Sequence, residues 1–116
     1  MPKVFVVDDD AEMRESLAGL ISLMGYDVEA FASAAAFRRG YRPDRPHCLV
    51  LDIQMPRQTG LEMYEALVRA GIRIPVIFIT AHADISTAVA AMKTGAIEFL
   101  EKPFERTALE ANIASA

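Results

Sequence analysis

The sequence predicts an α/β fold, a doubly wound sheet of five parallel strands with helices on both faces. Five short apolar runs alternate with segments of helical periodicity. Apolar runs of this kind are typical of strands buried on both faces of a parallel sheet. Right-handed crossovers then place the helices on both faces. The length of 116 residues is that of one domain, so the predicted domain is 1–116.

Each predicted strand is short and rich in β-branched or aromatic residues. The first is followed at once by three aspartates, and the fourth, IPVIFIT, is the most apolar. The second is the weakest of the set, because polar residues interrupt it. The predicted strands are Lys3–Val7, Tyr26–Phe31, Cys48–Leu51, Ile74–Thr80 and Ile97–Leu100.

The segments between the strands have apolar residues at helical spacing. Asp10 is the expected N-cap of the first helix, and Gly25 ends it. A short second helix is expected near Ala34–Arg39. Thr59 and Glu62 have the spacing of a capping box at the start of the third. The predicted apolar stripes are Met13, Leu17, Leu20, Ile21 and Met24; Leu61, Tyr64, Leu67 and Val68; Ile85, Ala88, Val89 and Met92, between Asp84 and Gly95; and Leu109 and Ile113, in a last helix that begins near Glu105.

Composition and charge exclude several classes of protein. Apolar residues make up 53% of the chain and charged residues 24%, which is a globular balance. The net charge of −4 argues against direct nucleic-acid binding by this segment. The lone Cys48 lies in an apolar run and is expected to be a buried structural thiol. No signal peptide or membrane span is visible, so we expect a soluble, cytoplasmic domain without membrane contact.

Polar side chains stand where four of the five predicted strands end. Asp8 and Asp9 follow the first strand, Asp52 ends the third and Thr80 ends the fourth, while Lys102 follows the fifth. In an open parallel sheet, ligands bind beyond the carboxyl ends of the strands. Each residue alone has an ordinary structural explanation, such as a turn, a strand position or a surface lysine. Their joint placement at one edge indicates a site.

These residue types suit phosphoryl transfer. Clustered carboxylates repel one another, and a divalent cation relieves that repulsion. Mg²⁺ prefers one or two carboxylates together with waters and phosphate oxygens, and Mn²⁺ or Ca²⁺ could substitute. An aspartate oxygen can attack phosphorus and form an acyl phosphate. A lysine and a threonine hydroxyl can then bind the phosphoryl oxygens.

Two other classes of protein have a comparable pattern. A Mg²⁺-dependent phosphatase with an aspartate nucleophile typically has a second carboxylate two residues later, but Gln54 occupies that position and cannot act as an acid or base. A nucleotide-binding domain of the same topology needs a phosphate loop rich in glycine, serine or threonine after the first strand. Here that loop is triply acidic, so both alternatives are less favoured.

Four motifs resemble the receiver family of bacterial response regulators, and the resemblance covers essentially the whole chain. They are VFVVDDD, LVLDIQMPRQTG, VIFITAHAD and AMKTGAIEFLEKPF, in this order. Each motif alone is weak, whereas the ordered set is highly specific. The resemblance implies a flavodoxin-like or CheY-like sheet with strand order 2-1-3-4-5.

The resemblance also implies roles for the acidic residues. Asp52 matches the phosphorylated aspartate. Asp9 matches a direct Mg²⁺ ligand, and Asp8 matches its neighbour, which acts through water. The backbone carbonyl of Gln54 matches the third protein ligand. A receiver of this kind catalyses only its own phosphorylation and dephosphorylation, so it is not an enzyme in the usual sense.

Further positions match the family's switch. Thr80 matches the switch hydroxyl, Lys102 the lysine that contacts the phosphoryl group, and Phe99 the aromatic switch residue. A core aromatic would explain Phe99 equally well. Pro103 matches the family's cis-proline, although the residues alone favour a trans bond. Gly60 is expected to permit a tight backbone after the phosphoacceptor strand.

The runs FITAHAD, AVAAMKTGAIEFLEKPFE and VFVVDDDAEMRESL resemble FixJ-type receivers. The implied partner is a cognate sensor histidine kinase that supplies phosphohistidine. The implied response is a phosphorylation-dependent homodimer through the surface of the fourth helix, the fifth strand and the fifth helix. FixJ-type receivers usually precede a DNA-binding output domain of the LuxR type, which is expected to be absent from this chain.

Overall fold

The computed structural model describes residues 2–41, 46–55, 58–80, 86, 89–90, 93 and 98–116. These residues form a five-stranded sheet with helices packed on both of its faces, which confirms the predicted fold class. In chain order the elements are β1 (Lys3–Val7), α1 (Ala11–Leu23), β2 (Asp27–Phe31), α2 (Ala34–Gly40), β3 (Pro46–Asp52), α3 (Gly60–Arg69), β4 (Val76–Thr80), β5 (Glu98–Glu101) and the C-terminal helix (Arg106–Ser115).

The sheet has the order β2-β1-β3-β4-β5, and every neighbouring pair is parallel. The predicted order 2-1-3-4-5 is therefore confirmed. The register keeps the strand ends level, since Val7 lies opposite Leu51 and Asp52 lies opposite Ile79. Residues that end or follow β1, β3, β4 and β5 consequently meet along one edge of the sheet.

Alternation along the strands divides the core between the two faces of the sheet. On one face, Phe5 and Val7 of β1 pack with Phe37 of α2 and with Met63 and Leu67 of α3. The opposite face contains the second cluster, which α1 and the C-terminal helix cover. Its fully or almost fully buried members include Val4, Val6, Leu17, Ile21, Cys48, Leu109 and Ile113. Leu109 and Ile113 thus face inward, as predicted.

Side-chain caps begin three of the helices. The Asp10 carboxylate accepts bonds from the first turn of α1, and Thr59 with Glu62 forms a capping box at the start of α3. Both caps are therefore confirmed, and each satisfies backbone N–H groups that have no partner within the helix. Ser33 caps α2 in the same way. Gly25 has a φ of 96° directly after the C-cap of α1, a conformation that glycine adopts without strain.

One predicted core position is wrong. The helical spacing predicts that Val68 belongs to the apolar stripe of α3, but Val68 is 54% exposed. The buried residues of α3 are Gly60, Met63, Tyr64 and Leu67, and Tyr64 lies on the side of this buried face that is nearest to Val68. Val68, one turn beyond Tyr64, therefore continues that side toward solvent and does not reach the core.

Strand boundaries differ from the predictions by a few residues. The predicted fourth strand began at Ile74, but β4 begins at Val76. Proline 75 has no N–H to give to a ladder, although its carbonyl accepts a bond from Leu49 at 2.8 Å. Conversely, β3 is longer than predicted and includes Asp52 itself.

The predicted fourth helix falls largely outside the described residues, which include neither Asp84 nor Gly95. Ser86, Val89, Ala90 and Lys93, all described, have helical backbone. Val89 is 42% exposed, so this member of the predicted apolar stripe is not fully covered. Among the helices that the structure describes, none has the length and apolar content needed to cross a bilayer.

Candidate phosphoryl and metal site

The parallel sheet brings the four charged residues of the predicted site to one edge. Asp8 and Asp9 directly follow β1, Asp52 is the last residue of β3, and Lys102 directly follows β5. The Asp8 side chain is fully buried and Asp52 is 5% exposed, whereas Asp9 faces solvent. Two carboxylates are thus removed from water, which is costly unless a cation compensates them.

The three carboxylates converge. One oxygen from each of Asp8, Asp9 and Asp52 lies within 4.8 Å of the others. The ammonium Nζ of Lys102 lies 3.6 Å from Oδ1 of Asp52, at the side of the same cluster. Oxygens this close can share one hard divalent cation, which Mg²⁺ or Ca²⁺ would satisfy.

Asp8 is held by several hydrogen bonds, but one of its carboxylate oxygens has no hydrogen-bond partner among the described residues. Its backbone N–H donates to the Phe31 carbonyl at 3.1 Å, and its Oδ1 accepts from the Asp10 N–H at 2.9 Å. Its Oδ2 is buried without a hydrogen-bond partner in the described part of the chain. Burial raises the pKa of this carboxyl. A buried oxygen in this state fits a cation or a cation-bound water.

Asp52 lies in an environment that disfavours its charged form. Burial, followed by repulsion from Asp8, raises its pKa from 3.8 to about 6. Lys102 and a 3.3 Å hydrogen bond from the Gln54 N–H to Oδ1 partly offset that rise. At neutral pH the carboxylate is therefore charged but poorly compensated, and a bound cation would stabilise it.

The loop after β3 is packed tightly against Asp52. The Gly60 N–H donates to the Ile53 carbonyl at 2.8 Å, and the Ile53 N–H donates to the Ile79 carbonyl at 3.1 Å. A Cβ at position 60 would overlap the carbonyl oxygen of Asp52, which explains the expected need for glycine there. The Gln54 N–H faces Asp52, and the role of the Gln54 carbonyl as a ligand stays a prediction.

Thr80 and Lys102 are linked through the backbone at the ends of β4 and β5. The Lys102 N–H donates to the Thr80 carbonyl at 2.7 Å, and Thr80 is fully buried. The peptide bond between Lys102 and Pro103 is cis, as the family resemblance implies. Phe99 is half-buried and packs against the core cluster on the α2–α3 face.

Arg14 is a residue of this site that the sequence did not indicate. Its guanidinium Nη1 donates to the backbone carbonyl of Asp8 at 2.9 Å. An arginine in the first turn of a helix is usually a solvated surface residue, and its spacing from Asp8 matches no motif. Only the three-dimensional turn between β1 and α1 brings the two together.

Comparison with known proteins agrees with this architecture. Residues 4–114 match the family model of the response regulator receiver domain. The chain is similar to nodulation protein W of Bradyrhizobium diazoefficiens, with 47% identity over 113 residues that cover 97% of this chain and 50% of the relative. It is also similar to the transcriptional regulatory protein FixJ of Rhizobium meliloti, with 44% identity over 107 residues that cover 91% of this chain and 52% of FixJ.

Solved structures show the same likeness. The response regulator StyR superposes with a TM-score of 0.91 and 50% identity, covering 98% of this chain and 58% of StyR. FixJ-N superposes with a TM-score of 0.87 and 39% identity, covering 98% of this chain and 91% of that structure. The chain spans about half the length of the curated relatives it matches. It belongs to the response regulator receiver domain family and, within that family, is a FixJ-like receiver of a two-component system.

Proposed function

We propose that Asp52 accepts a phosphoryl group from the phosphohistidine of a cognate sensor histidine kinase. The observation that carries this proposal is the convergence of Asp8, Asp9 and Asp52 within 4.8 Å, beside Lys102. A nucleophilic carboxylate, further carboxylates able to hold a cation, and a fixed positive charge are the parts that phosphoryl transfer needs.

The residues present fit a Mg²⁺ ion. The proposed ligands are Asp9, Asp52 and the backbone carbonyl of Gln54, with Asp8 acting through a water molecule. The unpartnered Oδ2 of Asp8 supports this assignment, since the oxygen is buried and lacks a donor among the described residues. When bound, the ion supplies positive charge that offsets the carboxylates and the phosphate oxygens.

The chain's own residues account for the covalent step. A carboxylate oxygen of Asp52 attacks phosphorus in line, and the phosphorus–nitrogen bond to the donor histidine breaks as the new phosphorus–oxygen bond forms. The departing imidazole keeps the electron pair of the broken bond. Lys102 and the Thr80 hydroxyl bind the transferred phosphoryl oxygens. Hydrolysis of the acyl phosphate later restores Asp52, so the domain catalyses only its own phosphorylation and dephosphorylation.

The phosphorylated state differs in charge at the end of β3, next to Thr80 at the end of β4, and a switch follows from that difference. Thr80 moves toward the phosphoryl group, and Phe99 turns into the space that Thr80 leaves. The surface of the predicted fourth helix, β5 and the C-terminal helix changes, and two copies associate through it. Such a switch shifts a population between two existing states.

The role of the complete protein is a proposal of the same kind. FixJ is by name a transcriptional regulatory protein, and this chain covers about half of it. We propose that a DNA-binding output domain outside these 116 residues carries the response, because the receiver itself has a net charge of −4. The cytoplasm is the proposed location, where a sensor kinase could present its phosphohistidine and where the lone Cys48 would stay reduced.

A small phosphodonor such as acetyl phosphate, added with Mg²⁺ and followed by intact mass, tests the proposal. We expect one added phosphoryl group on the wild-type chain and none on Asp52→Asn. Asp27→Asn is the matched control, since Asp27 is an exposed residue at the start of the edge strand β2 and should leave labelling unchanged. Equal labelling of Asp52→Asn and the wild type would refute the assignment of Asp52.

A further inference from the structure

We propose that Arg14 is a positioning residue for the metal-binding carboxylates, acting through the peptide that joins Asp8 to Asp9. This inference rests on the proposed function, because it concerns how the chain prepares that site. We do not propose a contact between Arg14 and the phosphoryl group. Its contribution is to hold the turn between β1 and α1 in the conformation that brings the carboxylates together.

The turn is short and leaves α1 close above the end of β1. The Asp10 carboxylate caps α1, and the Arg14 N–H continues the first helical turn with a 2.8 Å bond to the Asp10 carbonyl. From that position the Arg14 side chain reaches back to the strand end, where Nη1 donates to the Asp8 carbonyl at 2.9 Å. One side chain therefore ties the helix to the peptide between the two acidic residues.

The other bonds of Asp8 show what this contact adds. The backbone N–H of Asp8 donates a hydrogen bond to β2, and Oδ1 accepts one from the Asp10 N–H. These two hydrogen bonds hold the backbone nitrogen and the side chain of Asp8 in place. The carbonyl of Asp8 belongs to the peptide plane that leads into Asp9. Asp9 is exposed, and packing cannot fix its direction. The arginine contact holds that plane, and with it the direction in which Asp9 leaves the backbone.

The charge of Arg14 and its positioning role predict opposite effects on Mg²⁺ affinity when Arg14 is replaced. A guanidinium beside an acidic cluster repels a divalent cation, so if its charge alone mattered, its removal would tighten Mg²⁺ binding. If Arg14 instead holds the ligands in place, its removal loosens the site. Loss of an outer partner of a metal ligand typically weakens metal affinity by about 10- to 100-fold.

The test compares Mg²⁺ binding to the purified chain by isothermal titration calorimetry. Arg14→Met keeps an unbranched side chain that matches the aliphatic part of arginine but removes the donor and the charge, and we expect a dissociation constant about tenfold higher. Arg14→Lys keeps a charge and one donor, and we expect it to recover much of that loss. Arg73→Met is the control, because Arg73 is an exposed arginine before β4, at the edge where the strands begin.

Labelling of Asp52 by acetyl phosphate gives a second readout. We expect Arg14→Met to need about tenfold more Mg²⁺ than the wild type to reach half of its own maximal labelling. If Arg14→Met is unfolded by circular dichroism, Arg14→Gln, which lacks the charge and the reach, carries the same expectation.

The outcomes separate this inference from the proposed function. Mg²⁺ binding by Arg14→Met that equals or exceeds that of the wild type would overturn the positioning role. So would a lysine variant no better than the methionine variant, or an equal loss in Arg73→Met. A wild-type chain that neither binds Mg²⁺ nor labels at Asp52 would instead overturn the proposed function.

Discussion

Lys102 Nζ lies 3.6 Å from Oδ1 of Asp52, and this is the contact in which the end of β5 meets the end of β3 across β4. The Lys102 side chain is 27% exposed, whereas that of Asp52 is 7% exposed. The lysine can thus approach from the solvent side while the carboxylate stays buried. This ion pair sets one positive charge against Asp52, so it compensates the three carboxylates only in part.

Burial of Asp52, together with that imbalance, predicts that the metal-free protein becomes less stable as pH rises through the range in which Asp52 ionises. Its pKa is about 6 when folded, against an ordinary value of 3.8. Between these two values the folded chain binds more protons than the unfolded chain, so the free energy of unfolding falls as pH rises. The stabilisation is fully present below about pH 4 and is lost above the folded pKa. Asp8, with its own raised pKa, acts in the same direction.

Asp52→Asn should therefore stabilise the metal-free domain at neutral pH. The neutral amide avoids the burial of a charge, and the gain is at most about 3 kcal/mol, the equivalent of the pKa change of roughly two units. Urea unfolding with a chelator present, at several pH values between 4 and 7, measures the effect. The advantage of Asp52→Asn should shrink toward pH 4. An advantage that is absent, or equal at every pH, would show that burial of Asp52 does not carry this cost.

Lys102→Met should slow phosphorylation of Asp52 without removing the metal site. The carboxylates that would hold Mg²⁺ remain, but the fixed charge that is proposed to bind the phosphoryl oxygens is lost. Removing one such stabilising group commonly lowers a rate by about 100-fold. Because Lys102 is partly exposed, we expect a decrease of that size or smaller. The rate of labelling by acetyl phosphate at saturating Mg²⁺ measures the effect.

Lys3→Met is the control for this change. Lys3 pairs with Glu29 at the opposite end of β1, and both side chains are about 40% exposed. Surface pairs of this kind contribute little to stability. Labelling by Lys3→Met should match that of the wild type. A Lys102→Met variant that labels as fast as the Lys3→Met control would contradict the proposed role of Lys102.

The residues that end the strands could be predicted because a parallel sheet converts sequence order into spatial order. Asp8, Asp9, Asp52 and Lys102 each stand within two residues of the end of an apolar run, so the fold alone brings them to one edge. The strand order itself came from the family resemblance, since apolar runs do not say which strands are neighbours. Similarly, the preference for a receiver over a phosphatase used one residue, Gln54, and the comparisons then showed the family.

Other features depend on geometry that spacing does not express. Helical periodicity indicates which side of α3 is apolar, but it does not locate the border of the buried face, and Val68 consequently lies outside it. The bond from Arg14 to the Asp8 carbonyl depends on the path of one short turn. The buried, unpartnered Oδ2 of Asp8 results from the packing of several elements around it. None of these follows from the identity of the residue.

Gly60→Ala should destabilise the domain and disturb the backbone at Asp52. A Cβ at this position would overlap the backbone carbonyl of Asp52, which is fixed within β3 and cannot move aside as a flexible side chain would. Overpacking of this kind typically costs about 1–3 kcal/mol. The displaced backbone should also slow labelling of Asp52. Urea unfolding measures the first effect, and the rate of labelling by acetyl phosphate measures the second.

Gly19→Ala is the matched control for the same chemical change. Gly19 lies inside α1, and a Cβ there would meet no atom within 4 Å. Alanine in a helix interior is favoured over glycine by about 0.5–1 kcal/mol, so this variant should be more stable than the wild type. The two substitutions thus add the same methyl group with opposite expected signs. If Gly60→Ala were as stable as Gly19→Ala and labelled normally, the backbone around Asp52 would not be as closely packed as the structure places it.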